Sequence, residues 1–221
     1  LYEADFDLRW LQWAERLQHT LDARFWDAEA GGYFTSQAGD PHIVLRLKES
    51  YDGAEPAASS VAAVNLLRLG AIFDETTAAT DGGKLTYRER GKQCIAAFHR
   101  QWSATPHAMP LMLTALELAF DAPRHVVLAG DPKSAGFGEL EAVLHERLSP
   151  RRSVLAVTSD TDRAWFKTRA PWLAEMKPID GRATAYVCEE FACQAPVTHP
   201  SDQRSEPALA VTRVLWHARR R

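Results

Sequence analysis

A carboxylate-rich loop that leads directly into an almost uniformly apolar helix constrains this chain more than any other feature. The stretch Glu49–Phe73 begins with three carboxylates, Glu49, Asp52 and Glu55, and its loop closes on Pro56. The residues that follow have no continuous polar face, so we expect this helix to be surrounded by protein. Proline suits a first helical turn because its missing N–H would have no partner there. The sequence therefore predicts a buried central helix with the acidic loop at its positive end.

The composition narrows the classes of protein to consider. Hydrophobic residues make up 46% of the 221 residues and charged residues 25%, as in ordinary globular proteins. A net charge of −3 does not indicate a nucleic-acid-binding protein. No apolar run is long enough to span a bilayer. Three cysteines predict a reducing, cytoplasmic location instead of a disulfide scaffold. Because the chain enters a helix directly at Leu1, we expect it to be part of a longer protein.

Helical periodicity dominates the first half of the chain. Leu1–Phe25 predicts one amphipathic helix, which would pair with the apolar helix after the acidic loop as in an array of α-hairpins. Between the two, Tyr33–Ser36 and Ile43–Leu47 have strand character and predict a small hairpin. Lys84–Trp102 and Met109–Phe120 predict two further helices. The first helix is expected to face the core with Phe6, Trp10, Trp13, Ala14, Leu17, Leu21 and Phe25, and solvent with Arg9, Gln12, Arg16, His19 and Asp22.

The character of the chain changes near Pro123. Arg124–Ala129 predicts a strand, Gly136–Leu148 a helix and Ser153–Thr158 a second strand, which together make a βαβ unit. Gly130-Asp131-Pro132 carries no G-x-G-x-x-G or Walker pattern, so we expect a simple turn and no nucleotide cofactor. Further predictions are a loop at Asp74–Gly83, a short helix at Asp162–Lys167, a strand at Thr184–Cys188 and a last helix at Pro207–Arg219.

Several stretches together resemble one family. These are FDLRWLQWAERLQ with FWDAEAGGYF, LRLKESYDGAEPAASSVAAVNLLRL, HVVLAGDP and AYVCEEFACQAPVTHP. They are similar to the C-terminal part of the thioredoxin-domain-containing proteins of the spermatogenesis-associated protein 20 type, whose biochemical activity is not established. One departure is Ala57-Ala58-Ser59, where the family has Ser-Gly-Asn, so fewer polar groups are available there to reach a ligand.

The resemblance implies an architecture for the longer protein. Such proteins place a thioredoxin-like domain first, followed by an α/α toroid similar to six-hairpin glycosidases and sugar epimerases. This chain would then be mainly α: residues 1–123 form helical hairpins of a partial α/α toroid, and residues 124–221 form a small α/β unit with a C-terminal helix. The expected partners are the thioredoxin-like domain, the remaining hairpins of the toroid and a carbohydrate.

The acidic loop offers the best candidate for catalysis. Glycoside hydrolysis needs two carboxylates at a suitable separation, and Asp52 and Glu55 are the best pair, with Glu49 in reserve. Aromatic side chains stack on sugar rings, and the chain offers four of them near this loop: Trp26, Tyr33, Phe34 and Tyr51. The residues expected to bind substrate are Trp26, Tyr33, Tyr51 and Glu49. The alternative is that Asp52 and Glu55 bind backbone amides at the start of the helix.

The cysteines suggest structure and not chemistry. Cys188-x4-Cys193 lacks the C-x-x-C spacing of redox and zinc sites, so two structural thiols are favoured over a facultative disulfide or a metal site shared with His199. Cys94 is expected in the core, and no metal is predicted. Two functions stay open: a carbohydrate-directed toroid, as enzyme or binder, which we favour slightly, and a non-catalytic scaffold for the thioredoxin-like domain or another protein.

Overall fold

The computed structural model describes residues 1–73, 85–146, 149, 151–190 and 192–199. The predicted loop at Asp74–Gly83 and the predicted helix at Pro207–Arg219 lie outside these residues. The chain divides into two compact units. A helical unit contains the described residues of Asp7–Asp121 together with Tyr2, and an α/β unit contains Leu1, Glu3–Phe6 and the described residues from Ala122 onwards.

The helical unit is built from helices of six to eighteen residues. Its helices are α2 (Leu8–Phe25), α3 (Ala58–Ile72), α4 (Tyr87–Ala97), α5 (His99–Ala104) and α6 (Pro110–Phe120), with a 3₁₀ turn at Pro106–Ala108. A short α1 (Tyr2–Asp5) comes before them. Helix α3 packs against both α4 and α6, which makes it the centre of this unit.

The first predicted helix is interrupted. Phe6 adopts a left-handed conformation with φ of 55°, and Asp7 then starts a new helix by accepting a hydrogen bond from the Arg9 N–H at 2.9 Å. The ring of Phe6 contacts that of Phe137 edge-on, with centroids 6.1 Å apart. The prediction of one continuous helix was wrong because a non-helical residue and a cap lie between its two parts.

The orientation predicted for this first helix was also wrong. Trp13 and Leu17 are exposed by 45% and 52%, although both were expected in the core. Gln18 is buried, and the side chain of Asp22 is only 4% exposed. The face of α2 that turns inward is therefore polar in its second half, and part of the apolar face is in solvent.

Helix α3 is buried on most of its surface, as its apolar sequence predicts, but not on all of it. The buried residues include two serines, Ser59 and Ser60. An exposed stripe runs along the helix at intervals of three and four residues and consists of Ala58, Val61, Asn65 and Arg68. The prediction of a helix surrounded on every side was therefore wrong for this stripe.

Two other predictions for this unit need correction. The hairpin is absent from the described segment Tyr33–Leu47. Tyr33 instead forms an isolated bridge with Trp26, and the Thr35 N–H donates to the Leu47 carbonyl at 2.9 Å. The helix predicted to reach Trp102 breaks at Phe98, where φ is −106° and ψ 15°.

The α/β unit contains a four-stranded sheet in the order β2-β1-β3-β4. Strands β1 and β2 are parallel and are joined through α7, which confirms the predicted βαβ unit, and β3 runs antiparallel to β1. Of the helices described in either unit, none combines the length and the apolarity needed to cross a membrane. The elements are β1 (Arg124–Ala129), α7 (Ala135–His145), β2 (Arg152–Val157), α8 (Asp160–Arg169), α9 (Pro171–Ala174), β3 (Thr184–Glu189) and β4 (Ala192–Cys193).

Candidate functional site

Asp52 binds the backbone at the beginning of two helices. Its Oδ1 accepts a hydrogen bond from the Ala57 N–H at 2.9 Å, immediately before α3. Its Oδ2 accepts from the N–H groups of Leu111 and Met112, at 2.9 and 3.2 Å, in the first turn of α6. Helix α6 needs such a partner because Met109, at its N-cap position, provides no side-chain cap. Asp52 therefore supplies the cap from a distant loop, and both of its oxygens are used.

The other acidic and aromatic residues of this loop face solvent. Glu49 and Glu55 are exposed, and Tyr51 is exposed by 62%. The Tyr51 ring lies over Gly53, where an added Cβ would come within 2.8 Å of it. The structure thus places Asp52 against helix amides and Glu55 on the surface.

Trp26, which is half-buried, contacts the buried Tyr33 in the helical unit. They form an antiparallel bridge, and their rings meet edge-on with centroids 5.1 Å apart. Tyr33 is almost completely buried, and its N–H donates to Ser59 Oγ at 3.0 Å. The structure therefore holds these two aromatic residues against each other and anchors Tyr33 to the central helix α3.

A buried polar cluster surrounds Tyr33. The Tyr33 hydroxyl donates to Asp22 Oδ1 at 2.5 Å, and Gln18 Nε2 donates to the same oxygen at 2.8 Å. The other oxygen of Asp22 lies 3.8 Å from Arg90 Nε, and both side chains are less than 5% exposed. The Arg90 guanidinium also lies 4.8 Å from the Trp26 ring. This cluster of Gln18, Asp22, Tyr33 and Arg90 joins α2, α4 and the segment between α2 and α3.

The electrostatics of this cluster keep its hydroxyl and the neighbouring thiol protonated. Burial, together with the charge and hydrogen bond of Asp22, raises the pKa of Tyr33 well above its usual range. Burial also raises the pKa of Cys94 to about 12, and its thiol donates to the Ser59 carbonyl at 3.3 Å. Tyr33 is therefore a permanent hydrogen-bond donor to Asp22, and Cys94 is an inert core thiol, as predicted.

The sequence contains a signal for this cluster that the apolar pattern obscured. Gln18 and Asp22 are four residues apart and share one helix face. Arg90 lies on the same face of α4 as the buried residues Tyr87, Gly91 and Cys94. An arginine that faces solvent would lie on the opposite face of the helix. Two polar positions on one face, and one cation inside an apolar stripe, together indicate a buried ion pair.

Cys188 and Cys193 form a disulfide, which corrects the prediction of two free structural thiols. The two residues are directly opposite each other on β3 and β4, so their side chains share one face of the sheet. His125 on β1 and Ser153 on β2 continue the same row across the sheet. Within the described ranges, no group of three or more His, Cys, Asp and Glu side chains is arranged to hold a metal ion.

Comparison with known proteins gives the family. No family model matches the chain. It is 36% identical over 206 residues to spermatogenesis-associated protein 20 of Homo sapiens and 35% identical to that of Rattus norvegicus, in each case over 92% of this chain. A Caenorhabditis elegans protein described as uncharacterized is 32% identical over 188 residues. The chain spans 25% of the length of the human and rat relatives. From these matches, the chain belongs to the spermatogenesis-associated protein 20 family.

Proposed function

We propose that this chain is a non-catalytic interaction module of a longer protein. Its helical unit would present an apolar surface to the remaining helical hairpins of an α/α toroid. The observation that carries the proposal is the exposure of Trp13 and Leu17, which are four residues apart on one face of α2. We call the surface formed by Trp10, Trp13 and Leu17 the α2 apolar face.

The α2 apolar face is held outward by the opposite side of the same helix. Gln18 and Asp22 are hydrogen-bonded to the buried Tyr33 hydroxyl, and Asp22 also lies next to Arg90. A rotation that buried Trp13 and Leu17 would expose or break this cluster, and separating a buried carboxylate from its partners costs several kcal/mol, roughly 3–5. The helix therefore stays in an orientation that leaves aromatic and aliphatic side chains in water.

Helical hairpins from the same longer protein are the occupant that fits this face. Contiguous exposed apolar side chains in soluble proteins commonly mark interaction sites. The human relative is about four times as long as the matched region, since the match covers 25% of it. A helix packing on α2 would contact side chains at intervals of three and four residues, which is the spacing of Trp10, Trp13 and Leu17. The resemblance to toroid proteins implies that the elements next to the α2 apolar face in the longer protein are helices.

Site-directed labelling in the longer protein tests this proposal. Leu17→Cys reports on the α2 apolar face, and Arg16→Cys is the matched control because Arg16 is the adjacent exposed residue. We expect a maleimide to label Leu17→Cys much more slowly than Arg16→Cys in the longer protein, and both at similar rates in this chain alone. Equal labelling of the two positions in the longer protein would contradict the proposal.

A carbohydrate-directed function is the alternative. The exposed side chains of Tyr51 and Glu55, in one loop, would have to carry it, since both oxygens of Asp52 accept amide hydrogen bonds and Tyr33 is buried. The measurement is a panel of sugars added to thermal melts of the longer protein. A sugar that raises Tm in the wild type but not in Glu55→Gln would favour this alternative over the interaction module.

A further inference from the structure

We propose that the Cys188–Cys193 disulfide is a thiol–disulfide exchange site for an external dithiol, with Cys193 as the sulfur attacked and Cys188 as the leaving group. The two cysteines are separated by four residues and therefore lack the C-x-x-C spacing by which redox pairs are recognised in a sequence. The proposal rests on where β3 and β4 place the two residues, and it is independent of the proposed interaction module.

The two cysteines differ in their access to solvent. Cys188 is about 1% exposed and lies on β3, an internal strand with β1 on its other side. Cys193 is exposed and lies on β4, the last strand in the order of the described sheet. A thiolate must approach the sulfur that it attacks, and access decides which of the two reacts. The incoming dithiol therefore reaches Cys193 first.

The backbone around the disulfide is held by hydrogen bonds that do not depend on the S–S bond. The Gln194 N–H donates to the Val187 carbonyl at 2.9 Å. Ala185 and Val197 exchange two further hydrogen bonds, at 2.8 and 2.9 Å. These bonds keep the chain after Cys193 aligned with β3 when the disulfide is open, so the two thiols remain opposite each other. Such a pair can be reduced and oxidised again without unfolding.

The exchange conserves atoms and electrons. A thiolate of the dithiol bonds to Cys193 Sγ, the S–S bond breaks, and Cys188 leaves as a thiolate that takes up a proton. The second thiol of the dithiol then attacks the mixed disulfide, closes its own cyclic disulfide and releases Cys193. The dithiol is oxidised by two electrons, and the protein gains two electrons and two protons. In the reverse sequence, the reduced Cys188 and Cys193 thiols give two electrons and two protons to an external cyclic disulfide, which becomes a dithiol, and the Cys188–Cys193 disulfide re-forms.

Reduction of the native wild-type chain is the first test. The oxidised protein is incubated with dithiothreitol without denaturant, alkylated with iodoacetamide and mapped by peptide mass spectrometry. We expect alkylation at Cys188 and Cys193, none at the buried Cys94, and an unchanged far-ultraviolet circular dichroism spectrum. Replacing the reductant with oxidised glutathione, which accepts the two electrons, should restore the disulfide. Purified protein with both thiols free, or reduction only in denaturant together with Cys94 alkylation, would overturn the proposal.

A matched pair of variants tests the direction of attack. Cys188→Ala leaves Cys193 as the exposed thiol, and Cys193→Ala leaves Cys188 on the internal strand. We expect an aromatic disulfide reagent to modify the first variant at least about tenfold faster than the second, because the rate follows access to the sulfur. Equal rates, or faster modification of Cys193→Ala, would refute the assignment of Cys193 as the attacked sulfur. If either variant does not fold, the wild-type mixed disulfide formed with glutathione gives the same answer, on Cys193 if the proposal is correct and on Cys188 if it is wrong.

Discussion

The carboxylate of Asp52 accepts a hydrogen bond from the backbone N–H of Leu111, which lies 59 residues farther along the chain. The same carboxylate binds the amide of Ala57, so one side chain fixes the starts of α3 and α6 relative to each other. A general acid or base needs an oxygen that is free to exchange a proton with substrate. Both oxygens of Asp52, one of the two residues predicted to be catalytic, are used to hold two helices together.

Substitutions at Asp52 should destabilise the protein, including the conservative one. Asp52→Ala removes three charge-assisted hydrogen bonds and is expected to cost about 2 kcal/mol or more of unfolding free energy. Asp52→Asn keeps one acceptor oxygen but turns an NH₂ group toward a backbone donor, so we expect an intermediate loss. Urea unfolding measures both.

The control for this prediction is Glu55, the other member of the predicted catalytic pair. Glu55 is exposed, so Glu55→Gln is expected to change the unfolding free energy by less than about 0.5 kcal/mol. Two outcomes would contradict the prediction: an Asp52→Asn variant that is as stable as the wild type, or a Glu55→Gln variant that is as unstable as Asp52→Ala. Either would show that the hydrogen bonds of Asp52 do not stabilise the loop.

Removing the Tyr33 hydroxyl should cost more than removing a comparable hydroxyl at the surface. Tyr33→Phe deletes a donor to the buried Asp22 carboxylate, and a hydrogen bond to a charged group is worth about 1.5–3 kcal/mol. Tyr186→Phe is the matched control, since the Tyr186 hydroxyl donates to the neutral Lys177 carbonyl in an exposed setting. We expect less than about 1 kcal/mol for the control, measured by urea unfolding. If both variants lose the same unfolding free energy, the hydrogen bond from Tyr33 to Asp22 stabilises the protein no more than an exposed one does.

Local patterns predicted most of the helices and strands, but they did not predict the distant partners of the buried carboxylates. The strand at Arg124–Ala129 and the helix that starts at Pro110 were predicted within a residue, because an apolar run and a proline at a helix start are visible in a short window. Leu111, which donates to Asp52, and Arg90, which faces Asp22, are both far away in the sequence from the carboxylate that they meet. No single sequence shows which distant amide or guanidinium a carboxylate will meet.

The orientation of α2 shows a second limit. Trp13 and Leu17 follow the helical period of a core-facing stripe, so a hydrophobic pattern assigns them to the interior. In the structure they are exposed, and the polar Gln18 is buried. Periodicity identifies two faces of a helix but cannot say that the face toward the core is satisfied by a polar cluster while the apolar face remains in water.

Alanine substitutions at two helical glycines, Gly70 and Gly138, should change the stability of the protein in opposite directions. At Gly70 on α3, an added Cβ would lie 2.9 Å from the backbone nitrogen of Arg88 on the packed helix α4. Backbone cannot move away as a flexible side chain can, so Gly70→Ala should destabilise by about 1–3 kcal/mol. At Gly138 on α7, an added Cβ meets nothing within 4 Å, so Gly138→Ala should stabilise by up to about 1 kcal/mol through helix propensity. Thermal melts that show the same sign for both would contradict the close packing of α3 on α4.

The ion pair between Asp27 and Lys48 should give the protein part of its acid sensitivity. Lys48 Nζ lies 2.6 Å from Asp27 Oδ2, and both side chains are mostly shielded from solvent. Burial acts to raise the pKa of Asp27, but hydrogen bonds from Lys48, Ala30 and Glu29 outweigh burial and hold the pKa below its ordinary value of 3.8. A carboxyl whose pKa is lower in the folded than in the unfolded chain stabilises the fold above the ordinary value, and this contribution is lost as the pH falls through the folded value.

The lowered pKa of Asp27 predicts the effects of two substitutions at this ion pair. Asp27→Asn should be less stable than the wild type at neutral pH, and its unfolding free energy should fall less steeply below pH 3.8. Lys48→Met removes a hydrogen bond that lowers the Asp27 pKa and leaves the opposing effect of burial, so the Asp27 carboxyl should titrate at a higher pH than in the wild type. Urea unfolding across acidic pH, with carboxyl chemical shifts from nuclear magnetic resonance, measures both effects. If the wild type and Asp27→Asn lose stability equally on acidification, the ion pair does not contribute to acid unfolding, and the contacts of Lys48 serve only to position the loop.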